Sequence, residues 1–147
     1  MEKDKNIEIA KQILTEYLIK KEHRKTPERY AILEEIYRRD EHFTIEDLFI
    51  FMRDNHYRVS KATLYNTLEI LIDCKLVIKH QFGSNTAQFE KSITAFKHDH
   101  IICTDCGKII EFYDSEIDSI IKNATENTGF IPDNHTFYVY GVCGECK

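Results

Sequence analysis

The sequence predicts an α+β protein: a winged helix of helices closed by a β-hairpin, followed by a small domain stapled by cysteines. Three features carry that expectation. Apolar residues recur at three- and four-residue steps through the first half, two strand-like runs flank a Gly-Ser-Asn turn, and four of the five cysteines fall late in two C-x-x-C pairs. The 147 residues, 42% hydrophobic and 31% charged, suit two small domains or one of average size. No stretch approaches the roughly 20 apolar residues of a membrane span, so no membrane partner is expected. The opening Met1-Glu2-Lys3-Asp4-Lys5-Asn6 alternates charges where a signal peptide would be apolar, which predicts a cytoplasmic location.

Taken in order, Ile7, Ala10, Ile13, Leu14, Tyr17 and Leu18 form the stripe of an amphipathic helix ending near His23. Thr26 and Pro27 are an N-cap and a favoured first helical residue, and Tyr30, Leu33, Ile36 and Tyr37 follow in a helix running to about Arg39. Thr44-Ile45-Glu46-Asp47 resembles a capping box with Asp47 in the usual Glu position, leading into Leu48, Phe49 and Met52. Ser60 caps a fourth helix whose Leu64, Leu68, Leu71 and Ile72 face inward, leaving Lys61, Thr63, Asn66 and Thr67 outside and Tyr65 at the margin. Leu76 to Phe82 and Thr86 to Phe89 read as a hairpin about Gly83-Ser84-Asn85. In that arrangement the helix from Ser60 is the one that would enter a DNA major groove, although the same topology also serves protein contacts.

Cys103-Thr104-Asp105-Cys106 and Cys143-Gly144-Glu145-Cys146 can supply four thiolates to one tetrahedral zinc ion. A redox dithiol would need one pair only, and disulfides an oxidising compartment. The 36 residues between Cys106 and Cys143 exceed the usual zinc-ribbon insert and should carry secondary structure of their own. His98 and His100, two apart on a strand, project from one face and belong to a different task. Cys74 reads as a small core residue, and His23, His56 and His80 as surface or locally hydrogen-bonded residues. Charge is uneven: residues 1 to 91 carry 16 Lys or Arg against 16 Asp or Glu, residues 92 to 147 four against nine. An acidic whole does not exclude a local basic face for nucleic acid.

These residues resemble the ferric uptake regulator family of metal-dependent repressors over nearly the whole chain. The resemblance rests on Thr26-Pro27-Glu28-Arg29, Glu41-His42-Phe43-Thr44-Ile45-Glu46-Asp47-Leu48, Ala62-Thr63-Leu64-Tyr65 and Phe89-Glu90. It rests further on the run from His98 to Cys106 and on to Phe112, and on Asn134-His135 through Tyr138-Val139-Tyr140-Gly141-Val142-Cys143 to Cys146. It implies an N-terminal winged-helix DNA-binding domain over residues 1–91 and a C-terminal α/β domain over 92–147, dividing near Lys91 to Phe96. The second would carry the four-cysteine zinc site and dimerise through a shared sheet. The partners implied are double-stranded DNA and a second copy of the chain, with no small-molecule substrate.

The same resemblance implies a regulatory metal held by His42, Glu90, His98, His100 and Glu111. Histidines with carboxylates suit Fe²⁺ or Mn²⁺, with Zn²⁺ as an alternative in the role, whereas thiolates select zinc. Asp99, Asp118 and His135 match an additional metal site, but Lys97 stands where a histidine often contributes. Asn66 departs from the arginine many relatives place after the tyrosine. Tyr65 is expected to touch thymine methyl groups, with Asn66, Lys61 and Thr63 making polar or phosphate contacts. Glu90, where peroxide-responsive relatives often carry aspartate, leans toward iron sensing, with peroxide or zinc sensing as the alternatives. A metal-dependent hydrolase could also use a His-x-His pair, yet the chain adds no nucleophile or phosphate loop. A zinc-storage or protein-interaction module would explain the cysteines but not the polar outer face of the fourth helix.

Overall fold

The computed structural model describes residues 2–81, 86–92 and 98–147. The chain forms two compact units, Met1–Ser92 and Ile93–Lys147. The first contains α1 (Glu2–Lys20), α2 (Pro27–Arg38), α3 (Ile45–Asp54), α4 (Lys61–Asp73), β1 (Val77–His80) and β2 (Gln88–Lys91). Each predicted cap forms. Thr26 accepts from the Arg29 N–H with Pro27 beginning the helix, Thr44 and Asp47 make the reciprocal box at 3.1 and 2.9 Å, and Ser60 accepts from the Thr63 N–H at 3.1 Å.

Three of these helices end in one way. Glu22, His56 and Lys75 adopt left-handed φ values of 58, 60 and 64°, just past α1, α3 and α4. At each, the residue's own N–H and the next one reach back three and five residues, a Schellman closure: Glu22 to Ile19 and His23 to Leu18, His56 to Arg53 and Tyr57 to Met52, Lys75 to Ile72 and Leu76 to Leu71. This stops α1 at Lys20, short of His23, while α2 stops at Arg38. The closure also turns Leu76 into the core, where it is 4% exposed.

One core joins Ile7, Leu14 and Leu18 of α1 to Leu33 and Ile36 of α2, Leu48 of α3 and Leu64, Leu68 and Leu71 of α4. One expectation fails on α4: Thr67 is buried, because the helix is gripped on a broader face that includes Ile70, while Ile72 packs half-buried against the core as expected. The wing pairs β1 with β2 antiparallel, Ile78 opposite Glu90 and His80 opposite Gln88. Its strands are shorter than the expected runs, though the second continues to Lys91; the Gly83-Ser84-Asn85 turn lies outside the described residues, as does Lys97.

The second unit comprises β3 (Asp99–Cys103), β4 (Ile109–Phe112), α5 (Ser115–Glu126) and β5 (Tyr138–Gly141). The sheet order is β4-β3-β5, with β3 antiparallel to β4 and parallel to β5. The long insert between the cysteine pairs thus carries two strands and a helix, as expected from its length. Asp114 caps α5 through the Glu116 N–H at 2.9 Å, yet no residue of α5 is buried.

Candidate metal centres and nucleic-acid interface

Cys103 closes β3, and the chain reverses at Gly107, whose φ of 79° suits glycine; the Gly107 N–H bonds Cys103 O and the Cys103 N–H bonds Lys108 O, both at 2.9 Å. The second pair turns on the Cys146 N–H to Cys143 O bond. The Thr104 N–H bonds Gly141 O at 2.8 Å, drawing the two turns together, and the four sulfurs lie within 4.8 Å of one another. Cys106 and Cys143 sulfurs are 3.8 Å apart. A disulfide is about 2.05 Å long. A tetrahedron of about 2.3 Å zinc–sulfur bonds has edges near 3.8 Å, so the spacing fits a metal shell.

The electrostatics agree with the spacing. Cys103 Sγ accepts the backbone N–H of Cys106 at 3.5 Å and of Cys143 at 3.3 Å, and these bonds bring its thiol down to about 6. Cys146, against the Cys143 and Cys106 sulfurs, is pushed up to about 12. Four thiolates packed together repel, and a divalent cation among them removes that obstacle. Cys74 differs: it caps α4, and burial pushes its thiol up to about 11, as an inert packing residue requires.

Of the expected regulatory ligands, His42 and Glu90 belong to the first unit and His98, His100 and Glu111 to the second. In the first, His42 Nε2 lies 3.1 Å from Glu90 Oε1. The frame around this pair is firm. Phe43 and Phe89 exchange both backbone bonds, at 2.9 and 2.7 Å, so the loop before α3 is bridged to the wing strand beside both side chains. Lys91, 7% exposed, donates to Tyr37 O and to Asp40 Oδ1 at 3.0 and 2.9 Å, while Lys3 takes the other Asp40 oxygen. Those bonds hold the Asp40 carboxyl below the usual carboxylate range. In the second unit, His100 stands opposite Glu111 across β3 and β4, the His98 and His100 rings are 4.9 Å apart, and His98 Nε2 is 3.4 Å from Glu111 Oε1.

His80 was expected to have only a surface or local role. It is fully buried, and its Nε2 is 2.7 Å from Glu90 Oε1. The signal lay in the hairpin register, since His80 and Glu90 fall on one face of the wing. Of the additional set, His135 Nε2 reaches Asp99 Oδ1 at 3.4 Å, while the Asp118 carboxylate is taken by the Tyr113 hydroxyl at 2.9 Å. Among the described residues Asp118 joins no group of metal-ligand atoms.

On α4, Tyr65 and Asn66 are exposed, Tyr65 at 53%. Thr63 shares a 2.9 Å hydroxyl contact with its cap Ser60, and Lys61 is paired with Glu46 of α3 at 2.5 Å. Arg29 and Arg58 line a surface depression with Ser60, Thr63 and Asn66. These two arginines add positive charge at the N-terminal end of α4, which amphipathicity alone did not indicate.

Winged helix, sheet-bearing second unit and cysteine cluster are the parts expected of a metal-binding, DNA-binding regulator. The comparisons sharpen that class. Residues 20–140 match the Ferric uptake regulator family. The chain is 34% identical over 122 residues to the peroxide operon regulator of Bacillus subtilis (strain 168), covering 83% of each. It is 36% identical over 107 residues to the ferric uptake regulation protein of Haemophilus influenzae (strain ATCC 51907 / DSM 11121 / KW20 / Rd), covering 73% of each. The solved ferric uptake regulator of Pseudomonas aeruginosa with manganese superposes with a TM-score of 0.76 at 28% identity, covering 88% of this chain and 97% of that one. The chain belongs to the ferric uptake regulator family, whose members are transcription regulators rather than enzymes. No helix among the described residues is long and apolar enough to cross a membrane.

Proposed function

We propose that this protein is a repressor that binds pseudo-palindromic DNA as a homodimer, gated by a divalent metal whose ligands come from both units. The observation that carries the reading is the separation of two donor sets by chemistry: four thiolates in one cluster, imidazoles and carboxylates elsewhere. Cys103, Cys106, Cys143 and Cys146 hold structural Zn²⁺. His42 and Glu90, with His98, His100 and Glu111, hold the regulatory Fe²⁺ or Mn²⁺, a nitrogen and oxygen set that such ions prefer. When bound, the ion supplies a preference for the arrangement in which all five ligands meet. Moving such an equilibrium from 1:99 to 99:1 takes about 5.5 kcal/mol. Tyr65, Asn66, Lys61 and Thr63 of α4 read or grip DNA, with the Lys61 ammonium exchanging Glu46 for phosphate.

Dimerisation is supported by an unfilled row across the sheet. Ile101 faces Ile110 on one side and Val139 on the other, and the three remain 37, 46 and 40% exposed. A second copy over this face would bury them. Iron is the first reading of the signal, because position 90 is a glutamate where peroxide-responsive relatives often carry aspartate. Similarity to a peroxide operon regulator keeps peroxide sensing second, and Asp99 with His135 is the better-assembled part of any additional site.

The test is anaerobic. Zinc-loaded protein is bound to fragments of its own genome with and without Fe²⁺, Mn²⁺ or excess Zn²⁺, alongside His98→Ala. Strong metal-stimulated retention of a few palindromic fragments, lost in His98→Ala without loss of folding, is the expected result; binding indifferent to every metal would sink the proposal. Release of the iron-loaded complex by hydrogen peroxide would make the oxidant the signal.

A further inference from the structure

The Glu90 carboxylate sits between two imidazoles that the fold treats differently. His42 lies on the loop before the Thr44 cap, its side chain 12% exposed, whereas His80 stands on β1 with its side chain 1% exposed. Their rings meet edge to face, 5.4 Å apart at 71°. Both Nε2 atoms address one oxygen, Glu90 Oε1, His80 at 2.7 Å and His42 at 3.1 Å. We propose that His80 is a positioning residue for Glu90, its Nε2–H fixing the carboxylate in the attitude from which Glu90 and His42 meet a divalent metal ion.

This role for His80 rests on the sensing role proposed above for that pair, and geometry carries it. A carboxylate that holds a metal ion is ionised and only accepts, so in the metal-bound state the 2.7 Å contact is one in which His80 donates. The hairpin register places Ile78 opposite Glu90 and His80 opposite Gln88, which makes His80 and Glu90 diagonal neighbours on one face. The Phe43–Phe89 bridge and the Lys91–Asp40 pair fix the backbone on either side of Glu90, but a glutamate keeps three side-chain torsions that backbone bonds do not set. His80 sets them. Its own position is held by strand pairing and full burial, so the donor does not move with the ligand. His42, more exposed, on a loop and at the longer 3.1 Å, is the imidazole placed to exchange its contact with Glu90 for an ion. A hydrogen bond that orients a ligating group in this way is typically worth 10–100-fold in metal affinity.

The experiment uses the full-length, zinc-loaded protein and Mn²⁺ as the probe, with affinity read by competition against a fluorescent chelator and folding by thermal melting without Mn²⁺. His80→Gln keeps an N–H near the Nε2 position and should hold Mn²⁺ within about threefold of the unaltered chain. His80→Phe, similar in size and without a donor, should weaken it tenfold or more. In a Glu90→Ala background, where no acceptor is left for His80, His80→Phe should change Mn²⁺ affinity no further, an outcome that general loosening of the wing would not give. The proposal is overturned if His80→Phe binds Mn²⁺ like the unaltered chain, if His80→Gln falls as far as His80→Phe, or if the two losses add. A parent protein that takes up no Mn²⁺ beyond its zinc overturns the sensing reading, and this one with it.

Discussion

From Ile7 to Phe89 the first unit is built around side chains that leave water altogether, and α2, α3 and α4 are capped at both ends by their own residues. In the second unit only Ile102 and Cys103 are buried among the described apolar residues, α5 buries none, and Ile120, Phe130, Ile131 and Val142 stand more than half exposed. Apolar residues make up a similar share of both units, so the contrast is one of what closes each. One is closed by apolar burial, which needs no other molecule. The other has about 55 residues, a size at which a core alone is marginal and a metal or a partner usually completes the fold.

The largest expected effect follows directly. Stripping zinc with a strong chelator, or replacing Cys103 by Ser, should abolish hydrogen-exchange protection over 99–103 and 138–141 while leaving protection in α2 and α4 unchanged. Apparent binding energies of structural zinc, about 10–16 kcal/mol in small peptides, match the whole stability of a domain. Equal loss in both units would erase the distinction drawn between them.

A second prediction tests the self-sufficiency of the first unit through Tyr37. Its hydroxyl donates to Leu76 O at 2.8 Å, and burial pushes its pKa up to about 12, from an ordinary value of 10. An acid whose folded value is raised contributes stability that is full below pH 10 and lost as pH climbs toward 12. That shift corresponds to roughly 2–3 kcal/mol. Tyr37→Phe should cost about 1 kcal/mol at neutral pH through the lost bond, and should flatten the alkaline decline seen by urea melts. Parallel curves for the two proteins between pH 9 and 12 would show that Tyr37 titrates freely.

The first unit was also the more legible in the sequence, for a connected reason. Caps at Thr26, Thr44 and Ser60 and most of the α1 stripe are local signals, and local signals suffice where burial is simple: Ile7, Ala10, Leu14 and Leu18 are buried, although Ile13 of the same stripe stays exposed. The reading went wrong where three-dimensional pairing decides: Thr67 is drawn inside by the breadth of the α4 contact, and His80 is buried by hairpin register. The cysteine cluster was legible because its spacing is itself the geometry. The pairing of Asp118 with Tyr113 was not, since it depends on where α5 begins.

Helix ends provide the smallest and sharpest test. All five glycines follow residue 82, so α1, α3 and α4 reverse on Glu22, His56 and Lys75 in the left-handed region. A side chain there costs roughly 1–2 kcal/mol relative to glycine, against about 0.5–1 kcal/mol of extra chain entropy that glycine loses on folding. Lys75 is exposed, and the Schellman bonds at this end use backbone groups only. Lys75→Gly should therefore stabilise the first unit by up to about 1 kcal/mol and raise its melting temperature by a few degrees, with no effect on the zinc-dependent protection of the second. A destabilised variant would mean that the lysine side chain contributes more than its backbone conformation costs, and that the first unit's helix ends are less strained than their φ values indicate.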